Sequence, residues 1–298
     1  MDRRLKINFS PWTNFGDTCV PYILKKLNIP FIFTHHTVEK KMTMIGSIIK
    51  TSTRKDTVVW GTGMMYENDT PFAGSDNSVD YRAVRGPRTK QKLNNMGINT
   101  DNTVVGDPAL ILSKVYNPTV EKKYKLGVIP HMSDGHIIIP HIKNNPEKFP
   151  NTVIIDTNSK VSQIDNFIET VKSCEKIVSS ALHGVICAHA YGIPVKWMKV
   201  GNNLMGDDIK FHDHFEALGL TISGTSNPIP LIENENIDIP QTNHQEKLEE
   251  IIEDLWNSRP WENLPDDYYV DIDNENWVSE CYPEGYSDKI WTDEMWER

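Results

Sequence analysis

The chain has 298 residues, a formal net charge of -10 and a hydrophobic fraction of 38%. Its length suits two α/β domains, and its apolar content argues against wholesale disorder. The acidic balance disfavours nonspecific binding to nucleic acid or to an anionic membrane surface.

Short apolar runs alternate with helical patterns along the chain. Met1-Asp2-Arg3-Arg4 leads straight into a strand from Leu5 to Phe9, without the apolar core of a signal peptide. A helix is expected from about Thr18 to Leu27, a strand at Phe31-Ile32-Phe33, and a helix from Met44 to Ile49. Thr57-Val58-Val59-Trp60 reads as a strand closed by Gly61-Thr62-Gly63, and Val79 to Val84 as another. A helix from Pro87 to Met96 stops at Gly97. Thr103 to Val105 and Ala109 to Leu112 complete the first half, and polar Asn117 to Lys123 is a linker candidate.

The alternation then restarts. Lys125 to Ile129, Thr152 to Asp156, Ile177-Val178 and Val195 to Met198 read as strands, with a helix from Val161 to Ser173 among them. Two rounds of βα units predict two Rossmann-like domains facing across a cleft, residues 1–118 and 119–230. Residues 231–298 are expected to form a helix from Gln245 to Trp256 and then an irregular acidic tail. That tail carries Trp261, Trp277, Trp291 and Trp296, which are expected to pack on the body rather than to stack on a sugar or a partner. No run approaches the length of a membrane-spanning helix, so no membrane insertion is expected. Four cysteines (Cys19, Cys174, Cys187, Cys281) form no CxxC pair, which points to reduced thiols and a cytoplasmic setting.

The most informative stretch is Ser179-Ser180-Ala181-Leu182-His183-Gly184. It joins the strand pattern Lys176-Ile177-Val178 to an apolar helix pattern that runs from Val185 to Tyr191 and breaks at Gly192. A helix starting at Gly184 would turn free N–H groups toward an anion, with His183 beside them to move a proton. His212-Asp213-His214 and the five-residue recurrence of His131, His136 and His141 do not suit a metal site. Gly61-Thr62-Gly63 lacks the third glycine of a dinucleotide fingerprint, and no Walker lysine motif occurs. Neither a metal nor an organic cofactor is expected.

Seven segments in colinear order resemble the polysaccharide pyruvyl transferase family. They are Asn14-Phe15-Gly16-Asp17, Trp60-Gly61-Thr62-Gly63, Val84-Arg85-Gly86-Pro87-Arg88-Thr89, Gly106-Asp107-Pro108-Ala109, Ile129-Pro130-His131, Ser180 to Gly184, and Lys210-Phe211-His212-Asp213. Together they cover about Leu5 to Leu220. The resemblance implies transfer of pyruvate from phosphoenolpyruvate to two hydroxyls of a sugar or sugar-lipid acceptor, as a cyclic ketal. It also implies a GT-B-like pair of domains, the first on the acceptor side and the second on the donor side. Many members have Arg where this chain has Ala181, so part of the anion contact must come from elsewhere.

That chemistry assigns roles to residues. His183 suits the general acid that protonates the methylene carbon, since a histidine exchanges protons near neutral pH. Arg85 and Arg88, flanking Gly86-Pro87, could clamp phosphate or carboxylate, with Lys210 as a further contact and Gly184 supplying backbone N–H. Asn14 and Asp17 lie in the turn after the first strand, where an open sheet offers its ligand crevice. Asp17 could accept from a sugar hydroxyl or act as base, or serve only as an N-cap. His131 could contact donor or acceptor. Two other functions fit the same outline: a GT-B glycosyltransferase using a nucleotide sugar, and a non-catalytic glycan-binding relative.

Overall fold

The computed structural model describes residues 2–72, 78–201, 204–222, 228–233, 239, 244–274 and 276–283. In chain order its strands are β1 (Arg3–Asn8), β2 (Phe31–Phe33), β3 (Met42–Met44), β4 (Val58–Trp60), β5 (Asp80–Val84) and β6 (Val104–Val105). There follow β7 (Tyr124–Ile129), β8 (Thr152–Ile154), β9 (Cys174–Ser179), β10 (Val195–Trp197) and β11 (Tyr269–Asp271). The helices of the first half are α1 (Phe15–Lys26), α2 (Ile49–Ser52), α3 (Pro87–Asn95) and α4 (Leu112–Val115). Those of the second half are α5 (Gly135–Lys143), α6 (Ile164–Lys172), α7 (Leu182–Ala190), α8 (Ile209–Ala217), α9 (Pro228–Glu233), α10 (Gln245–Asn257) and α11 (Trp277–Cys281).

Among the described residues the strands form two sheets. One runs β11-β1-β3-β4-β5-β6 with β2 also on β1, and the other runs β10-β9-β7-β8. All pairings are parallel except β11 with β1. In the first sheet the chain leaves β1, returns as β2 on that same strand, and comes back again as β3. β7 stands in the same position in the second sheet, between β8 and β9. The protein is therefore a mixed α/β structure with parallel sheets wound to both sides of their first strands.

Burial explains why these runs become strands. Leu5 and Ile7 in β1, Val59 and Trp60 in β4, Leu126 and Val128 in β7, and Ile177 and Val178 in β9 are almost wholly enclosed. A parallel strand covered on both faces shows a continuous apolar run instead of an alternation. One apolar core spans both sheets, and α1, α6 and α7 pack within it. Phe15 of α1 stacks on Phe167 of α6 with ring centroids 3.8 Å apart. Beside that stack, Tyr22 donates to Asp165 at 2.5 Å.

Several expectations are corrected. The Met44 to Ile49 helix is instead the end of buried strand β3, and the helix begins at Ile49. A short apolar run does not distinguish a buried strand from a buried helix. Ala109 to Leu112 is a 3-10 turn, Pro108–Ile111, leading into α4. The first helix begins at Phe15, capped by the Asn14 side chain, so Asp17 lies in its first turn and is not the cap. The helix after β9 begins at Leu182, which puts His183 inside its first turn. Helices α5 and α8 add to the expected elements, with Ile138 and Ile142 of α5 and Phe211 and Phe215 of α8 turned into the protein four residues apart.

The tail expectation changes most. Residues after Asn257 are not simply irregular, because β11 adds an antiparallel strand to β1, pairing Tyr269 with Leu5 and Asp271 with Arg3. α10 packs on β6 and on the Pro108–Ile111 turn. Trp261 meets Trp60 edge to face at 5.1 Å, and Trp277 packs on the core, as expected of packing aromatics. Trp291 and Trp296 lie outside the described residues. No described helix is long and apolar enough to cross a membrane.

Candidate functional site

Ligands of open parallel sheets gather beyond the carboxyl ends of the strands, where the winding reverses. Here those ends are the loops after β1 and β7, and each carries residues singled out by the sequence. Asn14 and Asp17 follow β1, Arg85 follows β5, Asp107 follows β6, His131 follows β7 and His183 follows β9.

The two serines before His183 fasten the second sheet's loops together. Ser179 Oγ donates to the Ile129 carbonyl at 3.0 Å and accepts from Ala181 N–H at 3.0 Å. Ser180 Oγ accepts from His131 N–H at 2.9 Å. The ends of β7 and β9 are thus cross-tied, and α7 starts from a fixed point. Its N-cap is Ala181, which offers no side-chain oxygen to the N–H groups of Leu182, His183 and Gly184. Those donors stay available to an anion. Gly184 faces Ser179 Oγ and Ile129, and a Cβ there would press into both.

The His183 side chain is 16% exposed, whereas Asp107 facing it is wholly buried. The His183 ring lies against Gly16 of α1 so closely that a Cβ at that glycine would overlap Nδ1. Asp17 is half-buried one residue further on. Burial pushes its carboxyl up to about 7, against the pull of His183 and a hydrogen bond with Ser10. An acid poised near neutrality beside a histidine can hold or release a proton at working pH.

The start of α1 is tied to the second sheet's loops as well. Phe15 N–H donates to the Thr157 carbonyl at 2.8 Å, and Thr13 Oγ1 donates to Asn158 Oδ1 at 3.0 Å. Asn14 Oδ1 is engaged by Gly16 N–H at 3.2 Å, so its main visible work is to cap the helix.

Lys210, on α8, is buried, and its amine donates to the Met205 carbonyl at 3.1 Å. Burial, then the charge of Arg85, pushes that amine down to about 8, while Asp208 and Asp134 oppose the shift. His131 is driven lower by burial and by Lys210. Its Nδ1 accepts from Ser133 N–H at 3.2 Å and lies 2.8 Å from Ser133 Oγ. His131 also feels His183, so these three groups share one electrostatic neighbourhood.

The two arginines are engaged by the protein itself. Arg85 is fully buried, donating to Ser47 Oγ at 2.6 Å and to the Met64 carbonyl at 2.5 Å, with Asp213 3.6 Å away. Asp213 in turn accepts from Arg88 N–H at 2.9 Å, Thr89 N–H at 3.1 Å and Thr89 Oγ1 at 2.6 Å. The pair thus pins the start of α3 to α8. Arg88 points outward and grips Glu216 through two nitrogens. The structure therefore brings together His183, Gly184, Asp17, Asn14, His131 and Lys210; buried Arg85 is close enough for its charge to act on Lys210 and Asp107 while its guanidinium is engaged by Ser47 and Met64, and Arg88 points outward. Behind the site, His189 Nδ1 lies 2.9 Å from His214 Nε2, linking α7 to α8.

Sequence reasoning did not single out Asp107 as a site residue, although it quoted the Gly-Asp-Pro-Ala segment. An aspartate before proline reads as a turn cap, and Oδ1 does cap Ala109 N–H at 2.9 Å. The other oxygen is the one that faces His183.

A model of the polysaccharide pyruvyl transferase family matches residues 42–200. The chain is 31% identical over 181 residues to an uncharacterized protein of Acanthamoeba polyphaga mimivirus, covering 59% of each. It is 25% identical over 165 residues to the succinoglycan biosynthesis protein ExoV of Rhizobium meliloti (strain 1021). That second match covers 55% of this chain and 48% of the Rhizobium protein. The chain thus spans about half to three-fifths of the length of these curated relatives. The chain belongs to the polysaccharide pyruvyl transferase family.

Proposed function

We infer that this protein transfers pyruvate from phosphoenolpyruvate to two hydroxyls of a sugar in a glycan or glycan precursor. One hydroxyl adds to the central carbon as the methylene carbon takes up a proton and becomes methyl. The bond from that carbon to the phosphate oxygen then breaks, and the second hydroxyl closes the ketal. Two hydroxyl protons leave the acceptor, one ending on the methyl group and one on phosphate. The observation that carries this reading is the packing of His183, in the first turn of α7, against Gly16 in the first turn of α1, next to Asp17, whose carboxyl feels the histidine. A proton donor, a near-neutral carboxyl and free N–H groups meet there, as this reaction needs.

In this proposal His183 is the acid and Asp17 the base for the sugar hydroxyl. The donor's anionic groups sit at the α7 N–H groups of His183 and Gly184 and at Lys210. Arg85 and Arg88 support the site by fixing α3 against α8 rather than by touching the donor. The two sheets correspond to GT-B-like domains that meet near Asn117 to Lys123, with the acceptor on the first. No cofactor is required, and a cytoplasmic sugar or sugar-lipid intermediate is the proposed acceptor.

Incubation with phosphoenolpyruvate and a panel of galactoside and N-acetylmannosamine acceptors tests this. Phosphate release with an acceptor mass gain matching a pyruvate ketal is expected, as is thermal stabilisation by phosphoenolpyruvate. Stabilisation by nucleoside diphosphates instead would move the assignment to a glycosyltransferase. Stabilisation by glycans alone, with no donor effect, would move it to a glycan-binding protein.

A further inference from the structure

We propose that Asp107 is the positioning residue for His183, holding a proton on Nε2 so that Nδ1 is the ring nitrogen that exchanges protons with the substrate. The assignment of a proton-transfer role to His183 rests on the function proposed above; the assignment of the two nitrogens does not.

Asp107 Oδ2 and His183 Nε2 are both buried, and neither has a hydrogen-bond partner among the described residues. They face each other at 3.6 Å. A buried polar atom without a partner is costly and calls for an explanation. Two such atoms aimed at one another explain each other, because a shift of about half an ångström brings them to hydrogen-bond distance. Unliganded sites often hold their catalytic hydrogen bonds long and tighten them when substrate binds.

The backbone takes one oxygen of Asp107, and buried Arg85 feels the carboxylate's charge without hydrogen-bonding to it. Its Oδ1 is taken by Ala109 N–H at 2.9 Å, at the start of the Pro108–Ile111 turn. That bond fixes the carboxylate plane and leaves Oδ2 as the oxygen toward His183. A carboxylate accepts only, so the facing nitrogen must carry the hydrogen. A neutral imidazole then has its lone pair at Nδ1, on the Gly16 side of the ring, and an imidazolium has its transferable proton there. A Cβ at Gly16 would come within 2.0 Å of that nitrogen, so only glycine leaves room for the ring in this position. Other ionisable groups act on the ring from neighbouring elements: Asp17 from α1, His131 from the end of β7 and His214 from α8. Among the described residues, the ion-pair partner of Nε2 is Asp107.

The tautomer is directly observable. In long-range proton–nitrogen NMR spectra of histidine-labelled protein, with His183 assigned from H183Q, neutral His183 is expected to be protonated on Nε2. Asp107→Asn keeps an oxygen for Ala109 and replaces Oδ2 by an amide donor, so the preference should pass to Nδ1. If pyruvyl transfer is the reaction, kcat should also fall by about 10²-fold or more with KM for phosphoenolpyruvate little changed. A wild-type His183 protonated on Nδ1 would overturn the proposal, as would a tautomer unmoved in D107N. The wild-type spectrum decides by itself if D107N does not fold. An Nε2–H tautomer without pyruvyl transfer would sustain this proposal while removing the proposed reaction, and the reverse outcome would do the opposite.

Discussion

Replacing Asp17 by Asn should stabilise the protein while removing the base of the proposed pyruvyl transfer, and the gain should depend on pH in a set way. Burial raises the Asp17 carboxyl from an ordinary 3.8 to about 7. The folded state therefore binds a proton that the unfolded state has already released between those two values. A raised folded pKa contributes stability below pH 3.8 that is progressively lost as pH climbs to about 7. In the fully buried limit the ionised carboxylate would destabilise the fold by about 4 kcal/mol at pH 8. Partial exposure reduces that figure to about 1–3 kcal/mol. Asn keeps the shape without the charge. D17N should then melt roughly 5 °C above wild type at pH 8 and together with it near pH 4. Paired thermal melts across that range measure the difference directly. A pH-independent difference, or an Asn variant less stable at pH 8, would refute the assignment of Asp17 as a carboxyl held against its charge.

Arg85→Ala should cost about 3–5 kcal/mol in a urea titration, because it strands buried Asp213 without its cation; an unchanged midpoint would reject Arg85 as a structural anchor. Gly86→Ala should cost about 3 kcal/mol, since the new Cβ would overlap the Asp213 backbone carbonyl and wedge α3 from α8. Burial drives His189 down to about 3 and His214 well below its ordinary range, so both are neutral in the fold. For histidines with depressed values, stability is present above the unfolded value of 6.5 and falls as pH drops below it. Wild type should therefore lose stability between pH 6.5 and 4 more steeply than a His189→Gln, His214→Gln double variant, as denaturant midpoints would show.

What could be read from sequence follows from how local each signal is. The places of Asn14, Asp17, His131 and His183 at strand ends and helix starts were legible because a strand, a tight turn and a helix each announce themselves within about ten residues. The contacts of Arg85 and Arg88 were not, because their partners are distant in sequence; Arg85 donates to Ser47 and Met64, and Arg88 N–H finds Asp213 125 positions away. Without that helix in view, an arginine at a helix start reads as an anion clamp. Asp107 was hidden by its own cap, a local role that masked a long-range one. β3 was mistaken for helix because complete burial erases the alternation by which a strand is recognised. β11 escaped notice because three residues carry too little pattern to stand out in an acidic segment.

The pairing of β11 with β1 also dictates an order of events during synthesis. Arg3 binds Asp266, 263 positions later in the chain. A growing chain must therefore carry β1 with part of its edge unsatisfied until Tyr269–Asp271 has emerged. Whatever protects that edge in the meantime, a chaperone or a transient non-native partner, has to let go last. The arrival of Tyr269–Asp271, rather than completion of the parallel strands, is then the moment at which the first sheet gains its antiparallel strand.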